Sequence, residues 1–357
     1  MSSQNLIHRT WSRRGPLACL LWPVSALLGG IVHLRRLAYR REWLSSHRLP
    51  VPVLVIGNRI VGGAGKTPTT IAVLQHLRAC GWQPGVLTRG YKGKRVDEAP
   101  LLLDEQTAPS LRAAVTGDEP MLIWRRTGIP LMIGPDRVAD GVALLAAHPE
   151  IDILVCDDGL QHLRLQRDIE VVVFDERGAG NGWLMPAGPL REPWQAEPAL
   201  PLSARPLVLY NADRQTTPLS GALTQRRLAA PVALSAWWQH QEAPRLSTPP
   251  AGNRVAAMAG IAQPERFFNA LQELGFQVQP IPLADHAGFE VLPWDDTVQD
   301  LIVTEKDAVK LDPARVARER PGTRVWVAGL DFHPEPLFWR ALDDALARLP
   351  ARPASSH

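Results

Sequence analysis

The stretch VPVLVIGNRIVGGAGKTPTTIAVLQHLRACG, residues 51–81, constrains this chain more than any other. Residues 51–58 are a β-branched and aliphatic run ended by Gly57 and Asn58, the pattern of a buried parallel strand. From Thr67 onward Ile71, Leu74 and Leu77 recur at helical spacing, and Gly81 closes the segment. Gly62, Gly63, Ala64, Gly65, Lys66 and Thr67 therefore sit in a strand-to-helix turn, where a glycine-rich loop can wrap phosphate. Successive N–H groups would approach phosphate oxygens, Lys66 would neutralise the β- and γ-phosphates, and the Thr67 hydroxyl would hold Mg²⁺. The usual loop of this type opens with glycine where this chain has Ile60, so Asn58 is expected to make the entry turn instead.

Such a loop needs a parallel sheet around it, and two further strands answer. IDILVCDDGLQH, residues 151–162, ends in Asp157 and Asp158, and a carboxylate at a strand end beside the loop is expected to complete the Mg²⁺ site. IEVVVFD, residues 169–175, continues the α/β alternation. The expected fold is a nucleotide-binding, doubly wound α/β sheet of the P-loop type, mostly parallel, with a second smaller α/β domain. The 357 residues have room for about two domains, and 45% hydrophobic with 21% charged residues excludes a disordered chain. We divide it into a basic amphipathic segment (1–48), a nucleotide-binding core (49–215), a smaller α/β domain (216–345) and a disordered tail (346–357). A proline-rich passage, 186–250, is expected to link the two domains. Residues 254–276 then read as strand, turn and helix, and 300–311 as a strand entering a helix capped by Thr304 or Asp307. Cys19, Cys80 and Cys156 form no close pair, which argues against a disulfide framework or a zinc site and for a reducing compartment.

Net charge is only +3, but arginines 9, 13, 14, 35, 36, 40 and 41 come before or flank an apolar run without an acid before Glu42. Within that run Leu17, Leu20, Leu21, Val24, Leu27, Leu28 and Ile31 form one helical stripe, with Trp11, Trp22 and Trp43 at its borders. Pro23, Gly29, Gly30 and His33 weaken a membrane-spanning reading, and no clean cleavage site supports a signal peptide. The segment is expected to lie on an anionic phospholipid surface; packing on the protein's own core is the alternative. An arginine run alone also suits nucleic acid, but the apolar stripe inside it argues against a nucleic-acid partner.

Other candidates are less specific. Arg89 and Tyr91 follow a short strand and could hold phosphate or stack on a base, or simply belong to a surface loop. Asp118 and Glu119 open a helix, and local sequence reads them first as cap and dipole residues. NGWLMPAGPLREP, residues 181–193, is a loop carrying Arg191 and Glu192, and Asp285 and His286 sit in another.

Taken together, VGGAGKTP, RGY, GDEP, DDGLQH, GNGWLMPAGPLREP, DH and TEKDAVK occur in the order seen in tetraacyldisaccharide 4'-kinases, and the chain resembles that family over most of its length. The resemblance implies ATP and Mg²⁺ as donor and cofactor and a tetraacyldisaccharide 1-phosphate as acceptor. It also implies lipid A biosynthesis at the cytoplasmic face of the bacterial inner membrane, with the protein peripheral or monotopic. It implies Asp118 as general base with His286 tuning it, Lys66 on the transferred phosphate, and Asp157 and Asp158 as Mg²⁺ carboxylates. His162, Arg89, Tyr91, Glu119 and Glu192 would be further active-site contacts. The chain departs from the family pattern at Ile60, often Thr or Ser, and at Ala287, often a second His. A nucleotide-switch GTPase or ATPase at the membrane is the alternative carried by the same loop.

Overall fold

The computed structural model describes residues 3–90, 99–194, 205–239, 246, 254–261, 263–284 and 287–349. By contacts it divides into two units, each discontinuous in sequence: Met1–Arg89 with Ile129–Gln225 and His333–His357, and Gly90–Gly128 with Arg226–Phe332. The division therefore differs from the sequence segmentation at 215/216. Residues 90–128 group with the second unit, and the helix Pro336–Leu346 with the first.

In the first unit, β1 (Val53–Gly57), β2 (Pro84–Thr88), β3 (Leu131–Ile133), β4 (Ile153–Asp157), β5 (Ile169–Asp175), β6 (Leu207–Asn211) and β7 (Ala222–Leu228) belong to one sheet. Their order is β7-β6-β5-β1-β4-β2-β3, and neighbouring strands run parallel. Central strands are buried along all or nearly all of their length, which is why they read as continuous apolar runs rather than alternating ones. β1 pairs with β4 so that Ile56 lies beside Asp157, bringing that carboxylate next to the loop leaving β1. The expected proline-rich link at 186–250 is instead partly regular: it contains β6, β7, a two-residue strand and the helix Leu234–Gln239.

Helix α1 (Pro16–Arg40) contributes Ala18, Ser25 and Tyr39 to the interior, while Leu20 and Leu27 of the apolar stripe are 75% and 68% exposed. Its buried side docks on the 181–192 loop along its length. Ser25 Oγ donates to the Leu184 carbonyl (2.8 Å) and accepts from the Ala187 N–H (2.9 Å), and Gly29 leaves room for Leu184. Toward the helix end Tyr39 packs on Leu163.

The second unit holds a five-stranded sheet of β8 (Val232–Ala233), β9 (Arg254–Ala259), β10 (Gln277–Pro282), β11 (Asp300–Thr304) and β12 (Arg324–Ala328). The order is β10-β9-β11-β12-β8, parallel except for the β12–β8 pair. The strand–turn–helix expected at 254–276 is present as β9 followed by Pro264–Glu273, whose Phe267, Phe268 and Leu271 cover one sheet face. Thr304 caps the short helix after β11, its Oγ1 accepting from the Asp307 N–H.

Candidate active site

The glycine-rich loop is built as its sequence requires. Helix α2 (Lys66–Ala79) starts at Gly65, whose φ of 84° lies in the left-handed region that favours glycine. A Cβ there would come 1.9 Å from Asn211 Nδ2, the group that donates to the Ala64 carbonyl. Asn58 makes the entry turn: its Nδ2 donates to the Gly62 carbonyl at 3.0 Å, while its Oδ1 accepts from Lys66 Nζ at 3.2 Å. Ile60 is fully buried against Ala64 and Leu190, so the position that is usually glycine here plugs a small apolar cluster beneath the loop. Arg177, held by Asp175 at the end of β5, donates to the Val61 and Gly63 carbonyls, both at 3.0 Å. These bonds occupy the Val61 and Gly63 carbonyls, as suits a loop whose N–H groups are to meet an anion.

The carboxylates beside it have distinct settings. Asp157 is 2% exposed, and its Oδ1 accepts a 2.8 Å bond from Thr70 Oγ1 on α2, which fixes strand to helix. Asp158 has φ 51°, a left-handed conformation that aspartate tolerates better than most residues, and its side chain meets Lys66 Nζ at 3.6 Å and Arg191 Nη1 at 3.2 Å. Burial pushes the Asp158 carboxyl up, but the charges and hydrogen bonds of Lys66 and Arg191 outweigh it and hold the pKa below the usual value. His162 follows one turn on; burial, with the charges of Arg137, Arg167 and Arg89, pushes its imidazole down to about 4, so it is neutral at physiological pH. Glu192 is buried and gathers Arg36 of α1, Arg59 and the Gln161 amide. Arg89 is exposed at the end of β2.

In the second unit, Asp118 and Glu119 open helix α3 (Asp118–Thr127). The cap reading fails: Gly117, with φ 88°, occupies the cap position, and there is no side-chain cap bond. Asp118 instead lies 3.3 Å from Lys310 Nζ, with its side chain 12% exposed. Glu119 is half-buried beside it in sequence. Tyr91 and His286 lie outside the described residues.

A hard oxygen-ligated cation fits the donors of the first unit. Thr67 would supply a hydroxyl and Asp157 and Asp158 carboxylates, with Thr70 hydrogen-bonded to Asp157. Sequence reasoning missed Thr70, Asn211, Arg177 and Lys310. Each acts through a partner distant in the chain, and only the placement of Asn211 and Arg177 at or just past strand ends hinted at a role.

The sequence matches the LpxK family model, tetraacyldisaccharide-1-P 4'-kinase, over residues 17–347. A tetraacyldisaccharide 4'-kinase of Methylibium petroleiphilum is 57% identical over 347 residues, 97% of this chain and 94% of that protein. One of Leptothrix cholodnii is 53% identical, over 97% of this chain and 96% of its own. The fold is shared with the crystal structure of LpxK from Aquifex aeolicus in complex with ATP, at a TM-score of 0.75 and 23% identity, covering 93% of this chain and 99% of that one.

Proposed function

Because this chain belongs to the tetraacyldisaccharide 4'-kinase family, we infer that it transfers the γ-phosphoryl group of ATP to the 4'-hydroxyl of a tetraacyldisaccharide 1-phosphate, a step of lipid A biosynthesis. The observation that carries the assignment from family to chemistry is Lys66. Its ammonium stands at the α2 N-terminus between Asn58 and Asp158, at the mouth of a loop whose carbonyls are tied back. The helix N-terminus and the loop N–H groups would hold the phosphates, and Lys66 would shift from Asp158 toward the transferred group. Thr67, Asp157 and Asp158 would hold Mg²⁺, which neutralises phosphate charge when bound. Asp118 would accept the proton of the 4'-hydroxyl, and neutral His162 would offer a hydrogen bond without adding charge.

The acceptor is acylated, and α1 gives the protein a surface that suits it. The helix is about 37 Å long, yet it is docked on its own protein from Ser25 to Tyr39, so spanning a bilayer would strip away those contacts. Its exposed leucines and flanking arginines support a helix lying in the head-group region of the inner membrane's cytoplasmic leaflet. The reaction is tested by incubating purified protein with Mg²⁺, γ-labelled ATP and tetraacyldisaccharide 1-phosphate in mixed micelles. Label in the lipid supports the kinase; label appearing only as free phosphate favours a nucleotide switch.

A further inference from the structure

We propose that Lys310 is a positioning residue for phosphoryl transfer, its ammonium holding the Asp118 carboxylate where it receives the acceptor's proton. This rests on the reading of Asp118 as the base. In that step the hydroxyl oxygen bonds to the γ-phosphorus, the bond from phosphorus to the β–γ bridging oxygen breaks to release ADP, and the hydroxyl proton passes to Asp118. Lys310 exchanges nothing.

Lys310 lies in the turn after the helix Glu305–Ala308, with a side chain only 8% exposed. An ammonium has three donors, and three acceptors stand around this one: Asp118 Oδ2 at 3.3 Å, Asp307 Oδ1 at 3.2 Å and the Ala287 carbonyl at 3.1 Å. Nζ also lies over the ring of Phe289, 5.0 Å from its centroid. The anchor of the set is Asp307, which is wholly buried. Its Oδ2 accepts from Thr304 Oγ1 (2.7 Å) and from the Gly260 N–H (2.9 Å) at the end of β9. Even a Cβ on Gly260 would come 2.8 Å from Asp307 Oδ1. The sheet thus fixes Asp307, Asp307 fixes Lys310, and Lys310 reaches Asp118 on a different element. The same ammonium also ties down Ala287, the residue after His286 in sequence.

The charge count suits a base. Two carboxylates share one ammonium, so the trio carries a net negative charge until Asp118 takes up a proton, which leaves a balanced Lys310–Asp307 pair. A simple structural bridge would need only one carboxylate. Loss of the ammonium leaves Asp307 Oδ2 bonded to Thr304 and Gly260 while Oδ1 gives up its ion pair, which is why melting curves accompany the kinetics.

The test is a kinetic double-mutant cycle of Lys310→Met and Asp118→Asn in the full-length protein, reading kcat and KM for ATP and lipid, with melting curves as a control. Lys310→Met is expected to lower kcat about tenfold to a hundredfold with KM for ATP within about twofold, and Lys310→Arg to restore part of it. In the Asp118→Asn background the same change should cost less than about twofold, because the ammonium acts through that carboxylate. Equal losses in both backgrounds, or a wild-type kcat for Lys310→Met, overturn the proposal. If Lys310→Met melts below the assay temperature, Lys310→Gln, which keeps a donor, takes its place in the cycle under the same criteria. A wild-type kcat for Asp118→Asn alone would instead refute the reading of Asp118 as the base.

Discussion

Arg36 of the apolar helix α1 pairs with Glu192 of the proline-rich loop, 2.5 Å from Nη1 to Oε2, with side chains 16% and 6% exposed. Glu192 also accepts from Gln161, three residues past Asp158, so the exposed apolar helix and the strand end beside the glycine-rich loop share one carboxylate. Arg36→Ala is expected to raise KM for the lipid several-fold while leaving ATP affinity unchanged. It should cost about 1–3 kcal/mol of stability, since Glu192 keeps Gln161 and Arg59. Titration calorimetry with an ATP analogue, denaturant melts and lipid saturation curves separate these effects.

Gly65→Ala places a methyl group against Asn211 in a backbone conformation that alanine resists. Nucleotide binding should fall at least tenfold, with the sheet intact by circular dichroism. Normal ATP affinity in this variant would remove the loop from the nucleotide site.

His162 links folding to pH. Its folded pKa of about 4 lies below the unfolded value, so the unfolded chain binds the proton more tightly. The stability contributed by the neutral imidazole is full above the unfolded pKa of about 6.5 and is lost as pH falls from there toward about 4. Urea midpoints measured across that window should fall less steeply for His162→Gln than for the wild type.

The exposed stripe of α1 is predicted to bind membrane rather than stabilise the fold. Leu20→Ser with Leu27→Ser should cut co-sedimentation with anionic vesicles several-fold and leave the melting temperature within about 1–2 °C of wild type. Unchanged co-sedimentation would place the membrane contact elsewhere.

How much of this was legible in the sequence follows the range of each interaction. The strand–loop–helix around Lys66 was readable because its apolar runs, glycines and lysine are contiguous, and Asn58 was correctly expected at the entry turn. Ile60 reads from sequence only as a departure from the usual glycine, because its partner Leu190 lies far along the chain; the structure shows it as core. The 186–250 passage was read as a link because its prolines obscured β6 and β7, which pair with each other while β6 also pairs with β5 outside the passage. Asp118 was read locally as a cap, since nothing near it announces Lys310, whose contact with it forms only when α3 meets the turn after β11.

The position of the new phosphate distinguishes a 4'-kinase from every other phosphoryl transferase. Two-dimensional ³¹P–¹H correlation of the lipid recovered after incubation with Mg²⁺ and ATP measures it directly. Two phosphate monoesters are predicted, the original one coupled to the anomeric proton and the new one to H-4' of the distal sugar. A diphosphate at the anomeric carbon, a new phosphate on any other carbon, or unchanged lipid beside inorganic phosphate would contradict it.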